Sequence, residues 1–444
     1  MIAQQQATRL NRVVWIGLIA LGSWIVSACQ ENLPTSQEEG FLPVEATTVE
    51  IRLPFHEFAR DMRVLGGYGL PSELGIAFLA HDFQGTLDVR TLIRFAPYPE
   101  AITVRDTTGT TRPDSSLTFV GGKVVALVDT LDSDYEGPVT VGGGFVREEW
   151  SPRTATWDLA VDSVGLVRAW EEPGGGEALD LGTAIWDPAE TDSVVLEVDS
   201  AVVARWGDTT DASRGLRLQT VTEGVRLKIL TLGLVLTARP ASNPDTLVEA
   251  SVNAREGTFV YHPAPEAPDS DLRVGGVPAW RSVFEMELPE TLDGPDDVCQ
   301  KVSCPLTLRP EMVNGASLIL RTARTPPAFM PADSLRIDVR TVLEPSLLPK
   351  SPLGPPVTSF QGVRVPPSHF GEAAGSGLNI PITGYVRNLI RGENTAGHPV
   401  SNTVAILSAF EPTSLHFATF QGPDGDHPPE LRLILTLGEG VQIR

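Results

Sequence analysis

Short runs of alternating apolar residues, closed by glycine or proline, follow one another along most of the chain, and no stretch sustains the 3.6-residue apolar period of a long helix. Leu87-Asp88-Val89-Arg90-Thr91-Leu92-Ile93-Arg94-Phe95 alternates in part, as does Ser334-Leu335-Arg336-Ile337-Asp338-Val339-Arg340. KVVALVD (123–129) and SLILR (317–321) are apolar runs of strand length. Between them stand turn clusters such as Gly142-Gly143-Gly144, Pro173-Gly174-Gly175-Gly176 and Gly422-Pro423-Asp424-Gly425. The 41 glycines and 37 prolines are a heavy load for helices and an ordinary one for strands joined by turns. The pattern predicts an all-β protein of sandwich type. At 444 residues the chain is too long for one ordinary core, so two or three domains are expected.

The two halves echo each other. Each has a strand ending in proline, TLIRFAPYP (91–99) and RSVFEMELP (281–289), and then an apolar strand, VVALVDT (124–130) and ASLILRT (316–322). Later come 195–218 and 379–407, each a strand, a short amphipathic segment closing on Trp206 or on Leu389-Ile390, a polar turn and a further strand. Finally 226–252 pairs with 413–437. The short amphipathic segments are expected to be helical turns capping a sandwich end.

The stretch Val146-Arg147-Glu148-Glu149-Trp150-Ser151-Pro152-Arg153-Thr154-Ala155-Thr156-Trp157 and the closing Pro429-Glu430-Leu431-Arg432-Leu433 carry a resemblance. They resemble the DNRLRE-type jelly-roll domains of bacterial surface proteins, which are similar to some carbohydrate-binding modules. The likeness covers roughly 50–260 and 265–440 through short, degenerate motifs, and the second copy has a Pro-rich stretch near 345–370 in place of the Thr-Trp element. It implies two tandem jelly-roll-like sandwiches, at 46–260 and 265–440. Alternation puts Leu92, Phe95, Val125, Leu127, Trp157, Val203, Leu216 and Leu218 in the first core. The second core would hold Leu318, Leu320, Ile337, Val339, Ile382, Val386, Leu407, Phe417, Leu431 and Leu433.

The chain begins with a polar segment carrying Arg9 and Arg12, then an apolar run from Val13 to Val26, of signal-peptide length and short for a membrane span. It ends in Val26-Ser27-Ala28-Cys29, which resembles the lipobox of bacterial lipoproteins: 1–28 is then the signal peptide and Cys29 takes the lipid. An ordinary signal peptide with Cys29 there by chance is the competing reading. Residues 29–45 read as the lipidated cysteine and a flexible tether. Gln30 stands where an Asp tends to retain such proteins at the inner membrane, so an outer-membrane location is expected, on the periplasmic or the cell-surface face.

Using Cys29 for lipid leaves Cys299 and Cys304, a pair in a short loop. In an exporting compartment a disulfide is the expectation, with free thiols as the alternative. The formal charge of −22 falls to −24 once the two arginines of 1–28 are removed, and no basic stripe offsets it, so nucleic acid is not an expected partner.

Catalytic signatures are missing from the sequence. The seven histidines stand singly, with no His-Glu-x-x-His, no Gly-x-Ser-x-Gly, no P-loop and no dinucleotide fingerprint. Trp150, Trp170 and Trp186 lie near polar or Gly-rich loops and are candidate platforms for sugar rings, or else covers for the sandwich ends and edges. Asp129, Asp132 and Asp134, and likewise Asp424 and Asp426, set carboxylates close together on turns. These are candidates for calcium, against the commoner outcome of solvated acidic turns. The expectation is a non-catalytic envelope lipoprotein, held to the membrane by lipid, that binds a glycan or another envelope component. The alternatives are a polysaccharide-degrading enzyme on the same fold and a structural subunit of an outer-membrane complex.

Overall fold

The computed structural model describes residues 46–438 except Leu74, Pro278, 301–302, 359–361 and 410–413. The expected signal peptide, Cys29 and the tether fall outside the described residues. The fold is all-β: strands in several antiparallel sheets, with helices of nine residues or fewer. The described parts of Glu50–Gly294 and Cys304–Leu435 form one compact unit. The described remainder supplies the ends of two strands and the short helix Asp296–Cys299.

The first sandwich is organised by its longest strand, Val225–Pro240. One edge of it pairs with Leu117–Val128; the other pairs with Val248–His262 and then with Ala77–Phe83. Leu87–Phe95 pairs with Val248–His262 on one side and with Leu216–Thr220 and Ala77–Phe83 on the other. The nine-stranded sheet runs from Gly182–Trp186 at one end to Ser193–Asp199 at the other. Its interior holds Val124, Ala126, Val128, Leu196, Leu216, Leu218, Leu227, Leu234 and Leu236, all buried. Each such aliphatic side chain contributes about 1.5–3 kcal/mol on removal from water.

The expected helical turns are present. Ser200–Gly207 begins where the Asp199 carboxylate accepts the amides of Ala201 and Val202, and it drives Val202, Val203 and Trp206 into the core. Trp206 packs on Phe95 with ring centres 5.1 Å apart. Thr383–Arg391 is the counterpart in the second half, and it ends at Gly392 in the left-handed conformation that glycine tolerates best.

Four of the expected first-core positions differ. Val125 and Leu127 lie on the outer face and are only half-buried, while Val124, Ala126 and Val128 point inward. In VVALV both parities are apolar, so alternation alone could not choose; the pairing Val125–Gly233 and Val125–Val195 sets the face. Trp157 is half-buried outside the main core. Leu92 is buried but on the opposite face from Ile93 and Phe95. All ten residues expected in the second core are buried.

The second sandwich repeats the pairing plan of the first, strand for strand. Arg281–Met286 pairs with Thr403–Ser408 as Leu87–Phe95 pairs with Leu216–Thr220. Leu335–Val342 joins Thr403–Ser408 to Leu353–Pro356, as Val139–Phe145 joins Leu216–Thr220 to Gly182–Trp186. Val313–Arg321 pairs with Gly377–Pro381 and Glu430–Gly438, as Leu117–Val128 does with Ser193–Asp199 and Val225–Pro240.

One position is filled from elsewhere. In the first sandwich Val248–His262 bridges Val225–Pro240 and Leu87–Phe95. In the second, the same place is taken by Ala46–Pro54, beside Glu430–Gly438, and by Ala59–Leu65, beside Arg281–Met286. Residues 46–65 stood at the head of the first sandwich in the sequence-based division at 46–260 and 265–440, yet their partners are strands of 281–438. Viewed as two tandem repeats, each a leading strand and a body, the chain has exchanged its leading strands. The turn Phe55–Phe58 seats this segment: Phe55 and Phe58 are buried and meet Phe284 edge-on, at 5.6 and 6.5 Å between ring centres.

A further apolar cluster joins the two sandwiches. Phe78, Phe83, Leu87 and Phe259 from the first meet Val277, Ala328, Phe329, Leu415 and Phe417 from the second. Phe329 stacks on Phe417 at 5.4 Å, and the Tyr261 hydroxyl donates to the Val277 carbonyl at 2.9 Å.

Candidate functional site

The outer face of the sheet formed by Val139–Phe145, Leu216–Thr220, Leu87–Phe95 and Val248–His262 carries three arginines where an apolar face would be ordinary: Arg90, Arg94 and Arg217. Residues 146–181, which include the small hairpin Leu159–Ser163 with Leu166–Ala169, lie over this face as a strap. Arg94 sits 4.4 Å above the Trp150 ring and donates to the carbonyls of Trp150 (2.8 Å), Ala212 (2.6 Å) and Arg214 (3.2 Å). Arg90 lies 4.8 Å above the Trp157 ring and donates to the carbonyls of Pro173, Gly174 and Gly176. Arg217, 1% exposed, donates to the Gly175 carbonyl at 2.8 Å and to that of Ala178.

The local sequence explains the strap. Gly174, Gly175 and Gly176 all have positive φ, and a Cβ on Gly174 or Gly176 would meet Arg90 or Arg217 at about 3 Å, so only glycine lets these carbonyls turn onto the guanidiniums. Burial, reinforced by the neighbouring Arg90 charge, pushes Arg217 down to about 10; the group stays charged at neutral pH. Arg90 is lowered as well, by burial, against the attraction of Glu177, Asp88 and Glu172.

The tryptophans proposed as sugar platforms are therefore structural, and that reading is corrected. Trp150 is 2% exposed and lies under Arg94; Trp170 is 5% exposed and donates its indole N–H to the Thr156 carbonyl at 3.0 Å. Trp186 is fully buried in the main core, edge-on to Tyr135 at 5.1 Å, and donates to the Thr191 carbonyl at 2.9 Å. A ring facing the core cannot stack on a sugar. Of the two roles the sequence left open, burial fits the covering one, because here the loops fold over the Trp150 and Trp170 rings.

The first acidic loop has its own cations. Lys228 Nζ lies 3.1 Å from Asp129 and 2.7 Å from Asp132, and Arg226 Nε lies 3.0 Å from Asp134. Burial lowers the affinity of Lys228 for its proton, but the two carboxylates outweigh it, so the ammonium is held above its usual range. Ammonium and guanidinium groups thus occupy the side from which a cation would be bound, which counts against the calcium reading for these three. Asp424 and Asp426 are exposed on their turn. Among the described residues no group of three His, Cys, Asp or Glu side chains is placed to hold a metal ion. Cys299 and Cys304 are disulfide-bonded.

Beside this ion cluster lies His416, 5% exposed, whose Nε2 has no hydrogen-bond partner among the described residues. Burial, with repulsion from Arg226 and Lys228, pushes its pKa well below the ordinary imidazole value.

The site that sequence reasoning did not find is a cleft of about 410 Å³ lined by Asp180, Leu181, Glu197, Val198, Asp199 and Val202. Its lining comes from the residues just before Gly182–Trp186, from the end of Ser193–Asp199 and from the start of Ser200–Gly207, and those two strands are the ends of the nine-stranded sheet. Leu181, Val198 and Val202 give it apolar wall; the carboxylates give it negative charge. Asp180 accepts the Phe145 amide at 2.9 Å and an Arg147 N–H at 2.7 Å. Burial raises the pKa of Asp180, but these two donors more than offset it and hold the carboxyl below its usual range. The Asp199 carboxylate is engaged in its helix cap. Glu197 is exposed and makes no side-chain hydrogen bond among the described residues; Lys123, opposite it in register, bonds Glu249 at 3.0 Å instead. The arrangement can accept hydrogen bonds from hydroxyl or ammonium groups. No short motif marks it, since its residues come from a loop, a strand edge and a helix start.

No protein-family model matches the chain. No curated protein matches it either. Among solved structures, a chain named BspA_C_WT aligns over 71% of this chain and 75% of its own at 8% identity, with a TM-score of 0.13. A chain from a structure of the Macrobrachium rosenbergii nodavirus aligns over 91% and 94% at 9% identity, with a TM-score of 0.12. Likeness at that level carries no argument about fold or function.

Proposed function

We propose that the chain is an exported, lipid-anchored envelope protein of non-catalytic character, whose sandwiches bind a glycan or another envelope component. The sequence Val26-Ser27-Ala28-Cys29 carries this reading: it is followed by a polar stretch in the sequence, and the first strand among the described residues begins at Ala46. The disulfide-bonded state of Cys299 and Cys304 fits an oxidising compartment. The three candidate tryptophans and the 129–134 carboxylates are engaged in packing and internal ion pairs, so the candidate place for a small ligand is the cleft beside Glu197. Its carboxylates suit a hydroxyl-rich or amine-bearing sugar, and the strand edges beside it suit a larger component.

Two measurements test the reading. Mass analysis of the mature chain should find acyl groups on Cys29, and Cys29→Ala should release the protein from membranes; a parent chain whose N-terminus carries no lipid would sink the anchor. A glycan array probed with the chain and with Glu197→Ala tests the cleft. Binding lost in the variant supports a sugar site there, whereas binding unchanged in the variant places any sugar elsewhere.

A further inference from the structure

The exchanged leading strand has a consequence for how copies of this chain meet. The second sandwich is finished by Glu50–Leu65, a segment separated in sequence from the rest of that sandwich by the whole of the first. It forms the end of both sheets there: Ala46–Pro54 lies outermost beside Glu430–Gly438, and Ala59–Leu65 lies outermost beside Arg281–Met286. An outermost strand can leave without opening any other ladder. Its contacts are extensive: the Phe55, Phe58 and Phe284 rings, Arg60 with Glu285 (3.4 Å) and Glu287 (2.6 Å), Arg432 with Glu50 (2.6 Å), and Arg52 with Glu430 (3.5 Å).

None of these contacts depends on the strand and the sandwich belonging to the same molecule. What ties them together is the chain leaving Leu65 through Gly66-Gly67-Tyr68-Gly69, where Gly67 has φ +90° and open space around its Cα. Such a connection permits more than one direction of exit. The first sandwich shows the same slot already filled by the strand that precedes the next body in the chain. Continued from one molecule to another, that rule puts the leading strand of one copy into the second sandwich of another.

We propose that Glu50–Leu65 is donated between copies of this chain as well as within one, joining them head to tail by strand addition. The partner is a second copy, recognised by the backbone ladder along Arg281–Met286 and by the seat for Phe55 and Phe58. The inference goes beyond the binding role proposed above and depends neither on the lipid nor on a glycan.

The test uses two variants of the full chain, each adding one cysteine, Arg60→Cys and Glu285→Cys, at positions that are register partners, with Cys29→Ala in both so that, beside the Cys299–Cys304 disulfide, the added thiol is the one left to react. Mixed and oxidised, they can form a disulfide between positions 60 and 285 only if one copy has placed its strand in the other. A mixture of Arg60→Cys with Glu197→Cys, on the first sandwich, measures chance contact. The proposal expects 60–285 dimers severalfold above that background and rising with concentration, and more of them when Gly66 and Gly67 are deleted to hinder closure within one molecule. Dimers at background in both the parent and the shortened chain would overturn it. Copies carrying both cysteines should give a ladder beyond the dimer; a product that stops at the dimer means reciprocal exchange and overturns the head-to-tail form.

Discussion

The two sandwiches share one pairing plan but differ in where they obtain their last strand and in how they use an outer face. The first takes Val248–His262, which follows Val225–Pro240 after a short turn, so the local chain supplies the partner. The second takes Ala46–Leu65, whose partners Arg281–Met286 stand more than 200 residues away in sequence. The first also covers three arginines, Arg217 fully buried and Arg90 and Arg94 half-buried, with a strap of 36 residues (146–181). A repeated fold therefore does not imply repeated stability: one sandwich is closed by local chain, the other by a distant segment that must be found.

Four substitutions sharpen this difference, from the largest effect to the smallest. Phe58→Ala should cost about 3–5 kcal/mol, because a fully buried ring is lost from the seat of the leading strand. Chemical denaturation followed by hydrogen exchange should show the loss confined at first to the second sandwich, and equal loosening of both would break the comparison. Arg217→Met should cost about 2–3 kcal/mol by leaving the Gly175 and Ala178 carbonyls without their donor under the strap. Limited proteolysis should then cut within 146–181 while leaving the second sandwich intact. Asp199→Ala should cost about 1 kcal/mol through loss of the helix cap, with little change elsewhere.

The smallest effect at neutral pH concerns the joint between the sandwiches. His416 is held neutral when folded, whereas in the unfolded chain its imidazole takes a proton near the ordinary value of 6.5. Below that pH the unfolded chain binds more protons than the folded one, so stability falls as the pH drops; above it the group contributes no slope. His416→Leu should flatten this part of the profile between about pH 7 and pH 5. An unchanged slope in thermal melts would remove His416 from the account.

Much of the fold was legible in sequence because burial follows period two. Leu216 and Leu218, or Leu431 and Leu433, alternate with polar neighbours, and their faces could be assigned directly. Where both parities are apolar, as in Val124-Val125-Ala126-Leu127-Val128, only the cross-strand register decides, and register is not local. The amphipathic segments before the polar turns were readable as helical turns through their spacing, whereas the cap at Asp199 shows only in the structure. The strand exchange was not readable: 46–65 and 248–262 both have strand character, and nothing within either segment names its partner.

The candidate site was less legible still. Trp150 and Trp170 looked available because they stand among Pro, Gly and charged residues, yet those neighbours fold back over the rings. The signal that could have corrected this was Arg90 and Arg94 alternating with Leu92 on one strand face, since buried cations need carbonyls and aromatic faces to lie against them. The role of the acids at 129–134 stayed open in the sequence for a related reason. Their partners, Arg226 and Lys228, lie nearly a hundred residues away in sequence.

The most direct test of the central claim, that Glu50–Leu65 belongs to the second sandwich, is hydrogen exchange on the full chain and on a chain beginning at Gly66. The truncated chain should lose protection at Arg281–Met286 and Glu430–Gly438 while Leu87–Phe95 and Val225–Pro240 keep theirs. Loss of protection in those first-sandwich strands, with the second sandwich unaffected, would contradict that claim.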